Sequence, residues 1–549
     1  MSDDRFDRAR LDELAGRATL REYEFASAAP GVGRLVARFR NAWNSVATRW
    51  QVRPLLAQQS AFNAALAEWL ARRQMGEGAA EERDLDAERI GLDRAATALN
   101  RDVATVAARA AHLDGGRAAG RTLSLTLSQG ARGQPGEGGA AGRPASLTLS
   151  HGARGLIGES RAARRLRLAY FSPLPPARSG IADYSADLLP ALAARADVTL
   201  FADGAGDVAG LPRRPLDAFP AERWAYDLAL YHMGNSAHHA TIYRMLRRFP
   251  GVTVLHDFYL HHLLADLTLG AGSFAAYARE MGYDLGQAAA PLLRDIRSGR
   301  AVNPLYEVAL NQRVIDSSLG LIVHSRTVAD WIRAVRPAAR VAVVPQPIPP
   351  TRARSRRVEL GLPADSLLIA AVGQVTTAKQ LPLALRAFRR LLDFVPQARF
   401  LIVGEVLPEV DLDRVTAELG IEERVIRLDY VESLDAFNDW AATADVVLNL
   451  RYPTLGETSA AALRVMAAGR ALVVFDHGWY GELPDDAAVK VPPLDEEGLL
   501  LALLELAGDP ARRAALGAAA VGYVAAQCAP AAVAEAYVAF MAVLEPSAR

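Results

Sequence analysis

Residues 367–388 read LLIAAVGQVTTAKQLPLALRAF. The apolar opening predicts a buried strand ending at Gly373. A loop carrying Lys379 follows, and then a helix from Pro382, a residue suited to a first helical turn. Strand, glycine turn and helix make one unit of a parallel α/β sheet, and the unit recurs in both directions. Downstream lie ARFLIVGE, RVIRLDY, ADVVLNLRYP and ALVVFDHG, with helical stretches between them. Upstream, LRLAYFSPLPP, DVTLFAD, YDLALYHMG, GVTVLHDF, LGLIVHS and VAVVPQP alternate with helices in the same way. The Pro/Arg-rich joint PPTRARSRR at residues 349–357 separates the two runs. The pattern predicts two Rossmann-like, doubly wound domains, residues 161–350 and 351–549, facing a cleft. Ligands are expected at the carboxyl ends of the strands.

The chain has 549 residues, so more than one core is expected. Its 62 basic and 62 acidic residues cancel, which argues against a general nucleic-acid binder. A single cysteine, Cys528, excludes an internal disulfide and a cysteine-based zinc site. The charged start MSDDRFDRARLDELAGR is unlike a secretory signal, and no apolar run reaches the ~18–20 residues of a membrane span. The expected address is the cytoplasm, with peripheral association at the inner face of the membrane as a further option. Only two lysines, Lys379 and Lys490, stand among the basic residues. In so arginine-rich a chain, a retained lysine points to a task for a compact ammonium; chance survival is the plain alternative for Lys490.

Residues 1–80 have helical spacing. In residues 81–115, Leu85, Leu92, Leu99, Val106 and Leu113 recur every seventh residue. Ala96, Val103 and Ala110 fill the second seam position, and Arg89 interrupts it. This predicts a coiled coil that joins copies of the chain; the alternative is one amphipathic helix packed on its own protein. Residues 116–160 hold a two-copy Gly-rich repeat, AAGRTLSLTLSQGARG and AAGRPASLTLSHGARG, read as a neck or a linker.

Several residues after predicted strands can carry chemistry. Gly373, Gln374 and Lys379 precede a helix N-terminus, which favours an anion such as a diphosphate. Gly180, in RSGIADYS, lets backbone approach a ligand. His256 and Asp257 end the strand in VTVLHDFYLHH; His256 is a catalytic or ligand-contacting candidate. His261 and His262 match no strong zinc pattern and read as structural. In PTLGETS, Glu457 sits at an expected helix start. Its carboxylate either caps the helix or accepts sugar hydroxyls, with the N–H groups of Thr458 and Ser459 facing the same ligand. Gly456 belongs to that turn. Arg464, seven residues after Glu457, returns to the same helix face at ~10 Å.

From about residue 165 onward the ordered motifs resemble the retaining GT-B glycosyltransferases of family 4. SPLPPARSGIADYSADLLPAL is similar to the family's opening strand and glycine loop, and VLHD and IVHS to its later strand ends. VVPQPI resembles a PNG turn, with Gln346 for Asn and Pro347 for Gly. VGQVTTAKQLPLALRAF resembles the donor motif, and PTLGETSAAALRVMAAGRALVVFDHGWYGELPDD the acidic helix-start motif and its tail. The resemblance implies the GT-B fold, a nucleotide-diphosphate sugar donor and a glycan or lipid-linked acceptor. It places Lys379 on the donor diphosphate, Glu457 on the donor sugar and His256 beside the reacting centre. Two positions depart from the family: Gln374 stands where arginine is usual, and Arg464 falls close to where a second glutamate meets the ribose.

The function expected on these grounds is glycosyl transfer with retention, in bacterial cell-surface polysaccharide synthesis. Neither a cofactor nor an obligatory metal is expected. A front-face route without an enzyme nucleophile follows from the resemblance, no convincing second carboxylate being apparent. The alternatives are a weakly catalytic or non-catalytic sugar-nucleotide scaffold of an assembly complex, and a GT-B epimerase or hydrolase.

Overall fold

The computed structural model describes residues 90–102, 104, 165–203, 207–300, 304–363, 366–431 and 433–544. The segments read as an N-terminal helical region and as a two-copy repeat lie outside the described residues, as does most of 81–115.

The first domain holds seven strands: β1 (Arg167–Phe171), β2 (Asp197–Phe201), β3 (Arg213–Arg214), β4 (Leu228–Met233), β5 (Val252–Leu255), β6 (Gly320–Val323) and β7 (Val341–Val343). They lie in the order β3-β2-β1-β4-β5-β6-β7, every neighbouring pair parallel. The second domain holds β8 (Leu368–Val372), β9 (Arg399–Val403), β10 (Val425–Leu428), β11 (Val446–Leu448), β12 (Ala471–Phe475) and β13 (Val489–Val491). Their order is β10-β9-β8-β11-β12-β13, again all parallel. This is the GT-B architecture, two Rossmann-like sheets. Helices cover both faces of each sheet, which is why its strands are near-continuous apolar runs. In each sheet the strand order reverses, between β1 and β4 and between β8 and β11, and at those points the flanking loops part to leave a crevice.

Helices are labelled where they shape that crevice: α1 (Gly180–Ala193), α2 (Arg326–Val335), α3 (Leu381–Leu391), α4 (Ala460–Ala467), α5 (Pro510–Gln527) and α6 (Pro530–Leu544). The opening stretch folds as expected. β8 ends one residue before Gly373, and α3 starts at Leu381 with Pro382 in its first turn. The apolar side of α3, including Leu381, Leu385, Phe388 and Leu391, is buried against the second sheet. Each such large side chain contributes ~1.5–3 kcal/mol.

Two features depart from the expected layout. The end of the 351–549 segment does not stay with the second domain. Val533, Ala534, Tyr537, Met541 and Leu544 of α6 join the core around β1 and β2 of the first domain, and the Tyr537 hydroxyl bonds that of Tyr184 on α1. By length and composition Pro510–Leu544 would pass as a membrane span. Here it is two helices, α5 packed through Ala520 and Val524 on the second domain and α6 on the first.

The helix at residues 90–102 lies against the chain's own first domain. Leu99 is buried, Arg94 donates to the Tyr283 carbonyl, Asn100 to the Arg247 carbonyl, and Asp93 pairs with Arg313 at 2.7 Å. Within these turns the heptad residue Leu99 therefore serves packing inside one chain.

Candidate active site

The loops at the switch points bring together Lys379, Arg451 and Glu457 from the second domain and Asp257 from the first. Gly373 adopts φ +89, a left-handed value suited to glycine. A Cβ added there would lie 3.9 Å from Lys379 Nζ, so bare backbone borders the ammonium. Lys379 ends a short 3-10 turn. Gln380 and Tyr452 tie that turn to the next loop: Gln380 Nε2 donates to Tyr452 O at 2.8 Å and Tyr452 N to Ala378 O at 2.8 Å. The ammonium makes no hydrogen bond or ion pair with another described residue. It keeps some solvent access at the base of the cleft, but desolvation, and after it the nearby Arg451 guanidinium, bring its pKa down to about 7 against the pull of Glu457. An amine so poised takes a proton, and full charge, when an anion arrives.

Arg451 and Glu457 follow β11. Their side chains pair at 2.5 Å, both largely buried. Glu457 also accepts from Thr454 Oγ1 (3.1 Å) and Leu455 N (2.6 Å). It does not cap the helix. Ser459 does, accepting from Ala462 N at 3.2 Å, and α4 begins at Ala460. Glu457 is thereby held in the loop, aimed at the cleft. Around it, Arg451 Nε, Thr458 Oγ1 and Asn449 Nδ2 are buried without hydrogen-bond partners, and Glu457 Oε1 has only the ion pair. Unpaired buried polar atoms are costly, and a cluster of them marks where polar ligand or water belongs.

Opposite this loop, Asp257 follows β5. Its Oδ2 accepts from Asn235 N at 2.9 Å. Burial, and then the facing Glu457, raise its carboxyl to about 7, opposed by the Asn235 N–H and by Arg451. Asp257 is thus a second carboxylate, one that the strand-end motif did not bring out. Gly180 opens α1 with nothing within 4 Å of where its Cβ would stand, so this backbone does lie open.

His256 is placed differently from expectation. Both its ring nitrogens are used inside the first domain. His324 Nδ1 lies 2.8 Å from the Val344 carbonyl, which can only accept, so Nδ1 carries the proton and Nε2 accepts. His256 Nδ1 lies 3.3 Å from that Nε2, and His232 Nδ1 lies 3.0 Å from His256 Nε2. The chain ends at His232 Nε2, bare and unpartnered. Tyr184 packs on all three rings. His256 therefore stiffens the strand end that carries Asp257 and presents no ring nitrogen to a ligand. Burial depresses all these imidazoles, His239 and His324 to about 4. The unfolded value is ~6.5, so the unfolded chain binds more protons between the two. Stability is full above ~6.5 and is lost as pH falls toward 4. Thermal unfolding across that window should show a falling midpoint, with a smaller fall in His239→Gln.

The remaining expected residues sort by partner. Gln374 turns outward to Glu405 (3.1 Å) in an exposed pair, so the cation usual at its position is absent there. Arg451, beside Lys379, supplies a second positive charge. Arg464 does reach toward the first domain and meets an acid, Asp187 of α1, in a largely buried pair. Gly456 (φ +85) serves domain contact: a Cβ would lie 2.6 Å from Phe258 Cβ and 3.1 Å from Trp331 and Val328. Further bonds hold the domains together. Leu455 O accepts from Phe258 N and Tyr259 N, Gln346 Nε2 donates to Thr458 O, and Glu482 accepts from Arg326 N and Thr327 N at the start of α2.

His261 bonds the Val308 carbonyl and the Tyr277 hydroxyl, a structural arrangement. Lys490 donates to Gly481 O and Leu483 O, tying a loop. Among the described residues no group of three or more His, Cys, Asp or Glu is arranged to hold a metal.

Strand order, the lysine turn and the carboxylate loop thus meet at one crevice. Residues 366–509 match the family Glycosyl transferases group 1. The matched segment contains Gly373, Lys379, Arg451 and Glu457. A curated relative, D-inositol 3-phosphate glycosyltransferase of Thermobispora bispora, is 29% identical over 257 residues, 42% of this chain and 57% of its own length. The chain thus spans little more than half of that relative. Among solved structures, a sucrose-phosphate synthase of Thermosynechococcus elongatus superposes with a TM-score of 0.52 at 18% identity, over 69% of this chain and 99% of its own. HepE of Anabaena, solved in complex with UDP-glucose, superposes at 0.51 and 16% identity, over 69% and 100%. These two likenesses show the fold.

Arg451 and Asn449 escaped the sequence reading, and Asp257 entered it only as the neighbour of His256. Arg451 hides among many arginines, and Asp257 behind its histidine neighbour. The one available signal was their shared place just after β11 and β5.

Proposed function

We propose that this chain transfers a sugar from a nucleotide-diphosphate donor to a glycan or lipid-linked acceptor, with retention, in the synthesis of a bacterial cell-surface polysaccharide. The observation that carries this reading is the unpaired Lys379 ammonium, set between the Gly373 turn and the α3 N-terminus and beside the Arg451–Glu457 pair. The cations meet a diphosphate and stabilise its charge as it departs, without an obligatory metal. Glu457 holds the donor sugar's hydroxyls. The first domain, with Asp257 and the open Gly180 turn, supplies the acceptor side, and closure of the domains limits hydrolysis. The match to the group 1 glycosyltransferase family and the curated glycosyltransferase relative support it, and HepE binds UDP-glucose on the same fold.

A second reading, a sugar-nucleotide-binding scaffold, draws on Gln374 and Arg464, which here bind protein side chains. Nucleoside-diphosphate release from a panel of nucleotide sugars separates the two. Transfer predicts release by wild type and its loss in Lys379→Ala; binding without release by wild type leaves the scaffold.

A further inference from the structure

Asp257 lies across the crevice from Glu457, at the end of β5, on the side opposite the donor loop. Asn235 N holds Oδ2 at 2.9 Å, while Oδ1 makes no hydrogen bond with a described residue. The groups facing it are few. On its own domain are Asn235 and His239, whose Nδ1 contacts the His232 carbonyl and whose Nε2 is bare. From the second domain come Glu457 and Arg451. A Cβ on Gly234 would lie 3.2 Å from Asp257 Oδ2 and 2.8 Å from His239 Nε2, so only glycine allows these side chains to sit as they do. Asp257 is consequently anchored from behind by one backbone N–H and open toward the crevice.

We propose that Asp257 binds the reacting hydroxyl of the acceptor through Oδ1 and takes its proton during transfer, a catalytic role resting on the glycosyl-transfer reading above. The acceptor oxygen forms its bond to the anomeric carbon as the bond from that carbon to the diphosphate oxygen breaks. The bonding pair leaves with the nucleoside diphosphate, and the hydroxyl proton passes to the Asp257 carboxylate. No oxidant, reductant or further reactant is needed. The carboxyl, raised to about 7, accepts a proton readily near neutral pH and returns it to solvent when the cleft opens. Asp257 acts as a base and not as a nucleophile, so the front-face route stands.

The test compares wild type, Asp257→Asn and Asp257→Ala for donor binding by calorimetry and for turnover of a nucleotide sugar from the panel against pH. The expected result is unchanged donor affinity in Asp257→Asn, turnover lower by ~10²–10⁴-fold, and loss of the rise in rate through about pH 7. Formate should restore part of the turnover of Asp257→Ala, which a merely structural role would not allow. Thermal unfolding of Asp257→Asn, nearly isosteric, should match wild type. Turnover within about threefold of wild type, or an intact acid limb in Asp257→Asn, overturns the proposal. If wild type itself releases nucleoside diphosphate from no donor, the glycosyl-transfer reading fails and this role fails with it.

Discussion

Lys379→Ala is expected to lower turnover of the nucleotide-sugar donor by ~10²–10³-fold, the range for removing one preorganised group from a developing anion. The effect should be this large because the other cation, Arg451, is already engaged by Glu457 at 2.5 Å, while Gln374 faces outward to Glu405. Lys379→Arg should restore little, since the turn beside Gly373 admits a compact ammonium and a guanidinium is larger and planar. Protonation offers a second handle on the same residue. The ligand-free pKa is about 7, well below the ~10.4 of an exposed lysine. At pH 8 the amine is mostly neutral, and a bound diphosphate draws a proton onto it. Donor binding should therefore take up close to one proton at pH 8 and less at pH 6, readable by calorimetry in buffers of different ionisation enthalpy. A pH-independent binding stoichiometry of zero protons would contradict the assignment. With Asp257 near the same value, kcat/KM should follow a bell centred near neutrality. The acid limb then follows the Asp257 carboxyl and the alkaline limb the Lys379 ammonium.

Glu457→Ala should destabilise the second domain by ~3 kcal/mol or more, because it leaves the Arg451 guanidinium largely buried without its partner. Part of that cost comes from two orphaned donors, Thr454 Oγ1 and Leu455 N, which now bond Glu457 Oε2. The double replacement Arg451→Met with Glu457→Gln should recover most of the lost stability, since it removes both charges and keeps an oxygen for those donors. Chemical denaturation of the three proteins measures the difference, and a double variant as unstable as Glu457→Ala would show that charge pairing is not the cause. Neither protein should retain transfer, which separates the structural from the functional part of the carboxylate. The groups that bind each other here are the ones the proposed donor would engage.

The sequence alone determined the alternation of apolar runs and helices, the joint near residue 350 and the placing of Gly180, Lys379 and Glu457 beyond strand ends. Those features are local. A buried parallel strand needs a continuous apolar run, and a phosphate turn needs glycine and a cation before a helix, so both are legible residue by residue. The family likeness around 367–388 and 453–485 rested on the same local patterns. Tertiary structure alone decided which side chains meet. His256 was drawn into a chain of buried imidazoles because β4, β5 and β6 lie side by side in the sheet, a neighbourhood no local spacing records. Arg464 found Asp187, 277 positions away, Gly456 was claimed by Phe258 of the other domain, and α6 crossed back to close the first core. Asp257 came to face Glu457 for the same reason: two crevices, each opened by a reversal of strand order, are pressed together by contacts between domains. Electrostatic and packing partners are fixed by distance in space, and that distance becomes defined only once both sheets have closed on one cleft.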